Sequence, residues 1–369
     1  MSKSQKRGIG MTIRLLVFLF SIVVLILVIV QKKVIKWPKA LLIVAALALV
    51  FYTAFLYLIP CLPALKPSGS LAVSSDMVYY RYESDILEML THGSEREIPI
   101  QVWFPENLQA GKHPLLLFSP GSFGTGTSNE TLYLELASRG YIVMGISHPY
   151  HSFFSEMSDG KSIMVDLDFL KSVMASQGSE DLEGTLALSK EWTQVRIDDL
   201  NLILDKILDV NIDNEYEQYI DTNRIVLSGH SLGGSVALAL GRQRSEDIRA
   251  LVILESPFFA DITGTDGDKF VFTDEEYPLS VLHIYSDALF SKIDQITTYE
   301  MNVRLMKSDN PMYVNEHISG TGHFGLTDMI LLTPVLTNMF DGGLDTRPAS
   351  ETLLELNGYV LNFLEQYNK

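Results

Sequence analysis

Two uninterrupted apolar runs open the chain, and behind them the pattern breaks into short segments. Residues 12–30 (TIRLLVFLFSIVVLILVIV) hold one charge, Arg14, and residues 40–59 (ALLIVAALALVFYTAFLYLI) hold none. Each approaches the ~20 residues that cross ~30 Å of hydrocarbon. A basic link, QKKVIKWPK, separates the runs, and Pro60 and Pro63 end the second. The pattern predicts two membrane-spanning helices joined as a hairpin, an anchor over residues 1–63. A cleaved signal peptide fits the first run poorly. Its apolar stretch exceeds a signal core of about 7–15 residues, no small-x-small site follows, and Lys32 and Lys33 close it.

Residues 64–75, mostly KPSGSLAVSS, read as a Ser-, Pro- and Gly-rich linker. From residue 76 onward, short apolar runs with β-branched residues recur at 98–104, 114–119, 141–147, 224–229, 250–254, 279–285 and 312–318. Runs of this length between polar stretches predict buried strands. Helical spacing lies between several of them, at 131–139, 195–208 and 235–242. The last stretch, 350–367, puts Leu353, Leu356, Val360, Phe363 and Leu364 on one face. The alternation predicts an α/β domain over 76–369, a mainly parallel sheet with helices on both faces. Residues 149–192 interrupt the rhythm with HSFFSEM and DLDFLKSVM. So long an excursion predicts a lid of helices over a site.

Charge narrows the partners. The 369 residues carry a formal charge of −17, with the cations enriched near the N-terminus, which excludes a nucleic-acid surface. Lys3, Lys6 and Arg7 precede the first run and Arg14 lies at its start, while Lys32, Lys33, Lys36 and Lys39 fill the link, so charge leaves the hairpin unoriented. The single cysteine, Cys61, rules out a disulfide framework or thiolate zinc site within one chain. Nothing in the pattern sets an oligomeric state.

The chemistry centres on GHSLGG at residues 229–234, which matches G-x-S-x-G between the strand RIVLSGH and the helical SVALALGRQ. A strand-to-helix corner holds Ser231 exposed in strained backbone, and Gly229 and Gly233 avoid collision between strand and helix. The other use of such a serine is to cap the helix. A serine nucleophile needs a base, and His323 in SGTGHFGLTD follows both the serine and the last strand. His230 is turned from the serine by the corner, and His148, His151 and His317 come in the wrong order or on a strand. Two carboxylates between serine and histidine end apolar strands, Glu255 after ALVIL and Asp287 after VLHIYS, and the residues leave both open as the acid. Backbone N–H donors for a tetrahedral oxyanion are expected from Leu232, after the nucleophile, and from Ser122 in LLLFSPGSFGTG. That glycine-rich loop lacks the lysine of a phosphate-binding loop.

Taken in order, PLLLFSPGSFG, LASRGYIVMGISHP, RIVLSGHSLGGSVA, ALVILESPFF and SGTGHFGLTD resemble the platelet-activating-factor acetylhydrolase family of α/β-hydrolases, and dienelactone-hydrolase-like relatives share much of the pattern. The resemblance implies serine-dependent ester hydrolysis without metal or cofactor, on short or oxidised acyl chains of phospholipids. By position it assigns the nucleophile to Ser231, the base to His323, the oxyanion donors to Leu232 and Ser122, and the acid to Glu255. The family's usual acid is an aspartate, and Asp287 stands where most other α/β-hydrolases keep theirs. Pro120 departs from a histidine usual before the loop glycine. The expected protein is a membrane-anchored serine ester hydrolase whose partners are the lipid bilayer and a small-molecule or lipid ester. The competing class is a catalytically silent α/β-hydrolase fold serving as a binding or scaffolding module.

Overall fold

The computed structural model describes residues 3–32, 36–179, 181–209 and 216–369. Residues 33–35 of the basic link and residue 180 of the expected lid lie outside the described residues. Helices α1 (Lys3–Val30) and α2 (Lys36–Leu58) pack side by side. The Ser21 and Thr53 hydroxyls share a hydrogen bond of 2.8 Å, and the Arg14 guanidinium donates to the Leu56 carbonyl at 2.8 Å. Two stretches in them, Gly10–Val30 and Trp37–Leu58, are long and apolar enough to cross a membrane.

The domain is built on an eight-stranded sheet. Strands β1 (Val73–Glu83), β2 (Glu95–Pro105), β3 (His113–Ser119) and β4 (Ile142–Ile146) precede the hairpin of β5 (Phe154–Glu156) and β6 (Ser162–Met164). Then come β7 (Ile220–His230), β8 (Ala250–Leu254), the hairpin of β9 (Ile262–Asp266) and β10 (Lys269–Phe272), β11 (Ser280–Ser286) and β12 (Tyr313–Ile318). The main sheet runs β1-β2-β4-β3-β7-β8-β11-β12. All pairs from β4 to β12 are parallel, and β2 is antiparallel to both neighbours. This is the α/β-hydrolase architecture the alternation predicts.

Helices α3 (Glu130–Ala137), α4 (Leu167–Ser176), α5 (Leu182–Leu208), α6 (Leu232–Gln243), α7 (Glu300–Met306), α8 (Met329–Leu332), α9 (Pro334–Phe340) and α10 (Ala349–Tyr367) complete the chain. Strand β3 shows why its letters read as an unbroken apolar run: successive side chains point to opposite faces, and both faces are covered. Leu115 and Leu117 join the core under α5 and α6, while Leu116 and Phe118 join the core under α3 and α10.

Two boundaries differ from expectation. The stretch expected as a linker makes hydrogen bonds to the domain. The Leu65 amide donates to the Thr131 hydroxyl, the Ser68 amide and hydroxyl to the Glu135 carboxylate at 2.7 and 2.6 Å, and the Leu71 amide to the Ser138 carbonyl. Strand β1 begins at Val73, inside that stretch; as an edge strand with half-exposed residues it lacks the clean alternation of a buried one. Helix α5 begins at Leu182, so the excursion ends about ten residues early, in a polar and small-residue turn sequence that hides the helix start.

The polypeptide leaves α2 along α8, with the Cys61 and Leu62 amides donating to the Leu332 and Leu331 carbonyls, both at 3.1 Å. Asp328, just ahead of α8, accepts the Thr131 amide at 2.7 Å at the start of α3. Burial pushes its carboxyl up to about 7, against the pull of that hydrogen bond. The folded chain therefore holds a proton that the unfolded chain has released, and stability falls as pH rises from about 4 to about 7. Asp328→Asn keeps an acceptor for Thr131 and removes this slope. Its unfolding free energy is expected to gain on the parent's between pH 5 and pH 8, by roughly 1–3 kcal/mol. Parallel profiles in a denaturation series on the detergent-solubilised full chain would refute this.

Candidate active site

Strand β7 delivers the chain to a corner that α6 leaves at once. Ser231 sits there with φ 51° and ψ −125°, a conformation L-residues rarely adopt. A Cβ on Gly229 would run into the Gly233 carbonyl, and one on Gly233 into the carbonyls of Ser119 and Pro120. Bare backbone at both positions lets strand, helix and the loop after β3 meet. The Ser231 hydroxyl does not cap α6, so the hydroxyl is not spent on the helix start.

His323 lies in the loop after β12. Its Nδ1 is 2.8 Å from Glu255 Oε1. Glu255 follows β8 in a left-handed conformation, φ 45°, and its Oε2 accepts the Ser286 amide at 2.6 Å from the end of β11. Burial works against the charged carboxylate, but the bonds from His323 and Ser286 outweigh it and hold Glu255 below the usual range. Asp287 is engaged elsewhere. It accepts His317 Nε2 at 2.8 Å and the Gly320 amide at 2.7 Å, which braces the turn leading into the His323 loop. The two carboxylates that the letters leave level are thus separated by geometry, and Glu255 is the one on His323.

Two further aspartates hold that loop. Asp341 accepts the Phe324 and Gly325 amides, both at 3.0 Å, and Asp345 accepts the Gly322 amide at 2.9 Å. His230 has a use the sequence did not suggest. Its Nε2 donates to the His323 carbonyl at 3.0 Å, and the two rings lie 4.4 Å apart. Burial, with the neighbouring His323, holds this imidazole well below its ordinary value, so the ring is neutral and donates through Nε2. The residue next to Ser231 thereby ties the His323 loop to the corner.

The loop after β3 closes the third side. A Cβ on Gly121 would lie 2.8 Å from His230 Nδ1 and 3.3 Å from Ser231 Cβ, so the backbone preceding Ser122 passes directly beside the corner. Among the described residues no acceptor is bonded to the Ser122 or Leu232 amide. The excursion covers this side. Phe169 of α4 meets Phe123 at 5.6 Å and Trp192 at 5.8 Å, in one cluster with Val165, Val173 and Leu232.

Beneath that loop lies a buried polar network that sequence reasoning passed over. Asp199 pairs with Arg96 at 2.7 Å and with His148 Nδ1 at 2.8 Å, and His148 Nε2 accepts the Ser119 hydroxyl at 2.9 Å. Burial lowers His148 to about 4, so it is neutral. Arg196 joins His151 in the same layer. The available signal was that Arg196 and Asp199 share a helical face with Leu200 and Ile203, which point into the core.

Over residues 79–368 the sequence matches the profile described as platelet-activating factor acetylhydrolase, isoform II. The platelet-activating factor acetylhydrolase of Canis lupus familiaris is 31% identical over 156 residues, 37% of this chain and 33% of the dog protein. That of Gallus gallus is 27% identical over 190 residues, 44% of this chain and 45% of the chicken protein. The chain therefore spans less than half the length of either relative. Among solved structures, a ferulic acid esterase from Streptomyces cinnamoneus aligns with a TM-score of 0.59 at 17% identity, covering 83% of this chain and 92% of that one. At that identity the likeness is one of fold.

Proposed function

The chain belongs to the platelet-activating factor acetylhydrolase isoform II family of α/β-hydrolases, and from that premise we propose that it is a membrane-anchored serine ester hydrolase acting on short-chain or oxidised phospholipids or kindred lipid esters. The observation that carries the reading is the 2.8 Å contact of His323 Nδ1 with the buried Glu255 carboxylate, on a loop tied to the strained Ser231 corner. A carboxylate on Nδ1 fixes the imidazole tautomer and leaves Nε2 to act as base.

Ser231 Oγ attacks the ester carbonyl and passes its proton to His323. The carbonyl π pair moves to oxygen, and the resulting oxyanion is received by the Leu232 and Ser122 amides. The tetrahedral intermediate collapses, expelling the alcohol, which takes the proton from His323. Water then gives a proton to His323 and attacks the acyl-enzyme. A second collapse releases the acid and restores Ser231.

The substrate side rests on two supports. The relatives' name denotes removal of an acetyl group from platelet-activating factor, which favours a short acyl chain. The apolar helices turn bare side chains outward, with Leu16 60%, Phe20 66% and Phe51 73% exposed, as a bilayer would require. Where α2 ends, α8 and α9 present Leu332, Met339 and Phe340 to the outside. The Phe340 ring meets Phe324, the residue after His323, at 6.2 Å. The site's histidine loop is therefore one ring away from the end nearest the anchor.

The test is made on the detergent-solubilised full chain. A fluorophosphonate probe is expected to label Ser231, and a phospholipid panel graded in sn-2 chain length to be cleaved fastest at two to a few carbons. Absence of both labelling and turnover on any ester would leave the silent binding module as the reading.

A further inference from the structure

A guanidinium lies buried behind the oxyanion loop, and among the described residues no carboxylate is bonded to it. Arg196, on α5, is fully buried. Its Nη1 donates to the Pro120 carbonyl at 2.6 Å and reaches the Gly121 carbonyl at 3.4 Å, its Nη2 donates to the Gly121 carbonyl at 3.3 Å, and its Nε points to His151 Nδ1 at 3.3 Å. Asp199, one helical turn on, is already held by Arg96 and His148. Removing a cation from water without a paired anion is costly and normally avoided. Burial lowers this guanidinium to about 9, which still leaves it charged at neutral pH. Packing alone would be served better by an apolar side chain.

The two carbonyls it grips are not arbitrary. The Gly121 carbonyl and the Ser122 N–H are opposite ends of one planar peptide unit, so fixing the oxygen fixes the direction of the N–H. A cation at the oxygen also draws charge along the amide and makes the N–H a stronger donor, since hydrogen bonds in series polarise one another. That same backbone runs close enough to Ser231 that a Cβ on Gly121 would lie 3.3 Å from the Ser231 Cβ. The remaining partner of Arg196 is braced as well: the His151 ring stacks on Phe169 of α4 at 3.9 Å, and the His151 carbonyl accepts the Phe123 amide at 3.1 Å.

We infer that Arg196 is a positioning residue for the oxyanion site: held between α5 and the excursion, it aims and polarises the Gly121–Ser122 peptide so that the Ser122 N–H meets the charge that develops on the substrate oxygen. The inference rests on the serine hydrolase reading above. Arg196 touches no reacting atom; it acts through the backbone of Ser122.

The experiment uses the full chain in detergent, with Arg196→Lys, Arg196→Gln and Arg196→Ala. Two ketone inhibitors separate ground state from oxyanion. A trifluoromethyl ketone takes Ser231 Oγ at its carbonyl carbon and becomes an oxyanion, with the proton on His323; the matching methyl ketone only occupies the site. The expected result for Arg196→Gln is a kcat lower by about 10²–10³-fold, the range for losing one oxyanion donor, with KM within about twofold. Trifluoromethyl ketone affinity should fall in proportion to kcat/KM, and methyl ketone affinity should not move. Arg196→Lys, which keeps the charge, should fall between parent and Arg196→Gln once its unfolding temperature shows it folded, and added guanidinium ion should restore part of the activity of Arg196→Ala. Equal loss of affinity for both ketones, or unchanged kcat in a folded Arg196→Lys and Arg196→Gln, would overturn the inference. Parent turnover that disappears in Ser231→Ala is the separate control for the hydrolase reading; without it both claims fall, and with it the ketone comparison judges Arg196 alone.

Discussion

Turnover of p-nitrophenyl acetate by Ser231→Ala is expected to fall by about 10⁵–10⁶-fold in kcat, the scale seen when a serine hydrolase loses its nucleophile. What remains is catalysis by the oxyanion donors and by binding, because a water must then do the work of Oγ. The same position makes a second, independent statement about backbone. Ser231 is held at φ 51°, where a Cβ is strained and glycine is not. Ser231→Gly should therefore be more stable than Ser231→Ala by about 1–2 kcal/mol while being equally inactive. Chemical denaturation of the two variants beside the parent reads the strain, and the acetate assay reads the chemistry. Full activity in Ser231→Ala would end the nucleophile assignment. Equal stability of the alanine and glycine variants would remove the strain argument while leaving the chemistry standing.

Most of the scaffold that carries this corner is legible in the letters because burial on both faces writes continuous apolar runs. The run at 250–254 coincides with β8, and the expected helix at 350–367 is α10 to within a residue. The corner itself is readable because its requirement is steric: glycines two positions either side of a serine, between a strand and a helix, have few other uses. What is not readable shares a different cause. Strand β1 lies at the sheet edge, where half-buried and exposed positions accept Ser74, Ser75 and Asp76 and dissolve the alternation. Arg196 and Asp199 fall by spacing on the core face of α5 with Leu200 and Ile203, but nothing nearby in sequence shows what would accommodate two fully buried charges there. Burial of a charge is decided by which partner waits across the gap, here a loop some 75 positions earlier, and no local window contains it. The excursion is visible only as an interruption; that it covers Leu232 and Phe123 follows from tertiary packing around Phe169.

The acid is the sharpest case of that limit, and its test has the second-largest expected effect. Glu255 and Asp287 end adjacent parallel strands, β8 and β11, which are in register at Leu254 and Ile284. Both carboxylates consequently emerge on the same edge of the sheet, beside the loop that bears His323, and order along the chain cannot separate them. Backbone direction does. At φ 45° Glu255 turns back toward the imidazole and anchors its second oxygen on the Ser286 amide, while Asp287 reaches His317 and Gly320. Glu255→Gln leaves the shape but presents either an amide N–H or a neutral oxygen to His323 Nδ1, so the imidazole loses its fixed tautomer and the stabilisation of its protonated form; kcat should fall by about 10³–10⁴-fold. Asp287→Asn keeps an acceptor for the Gly320 amide and alters only the support of the turn, and its kcat should stay within about tenfold of the parent. Both variants are measured on the same ester at saturating concentration, with the unfolding midpoint as the check that each is folded. The reverse order of effects would move the acid to Asp287 and would require the His323 loop to rearrange on binding substrate, since Asp287 is committed to a different histidine.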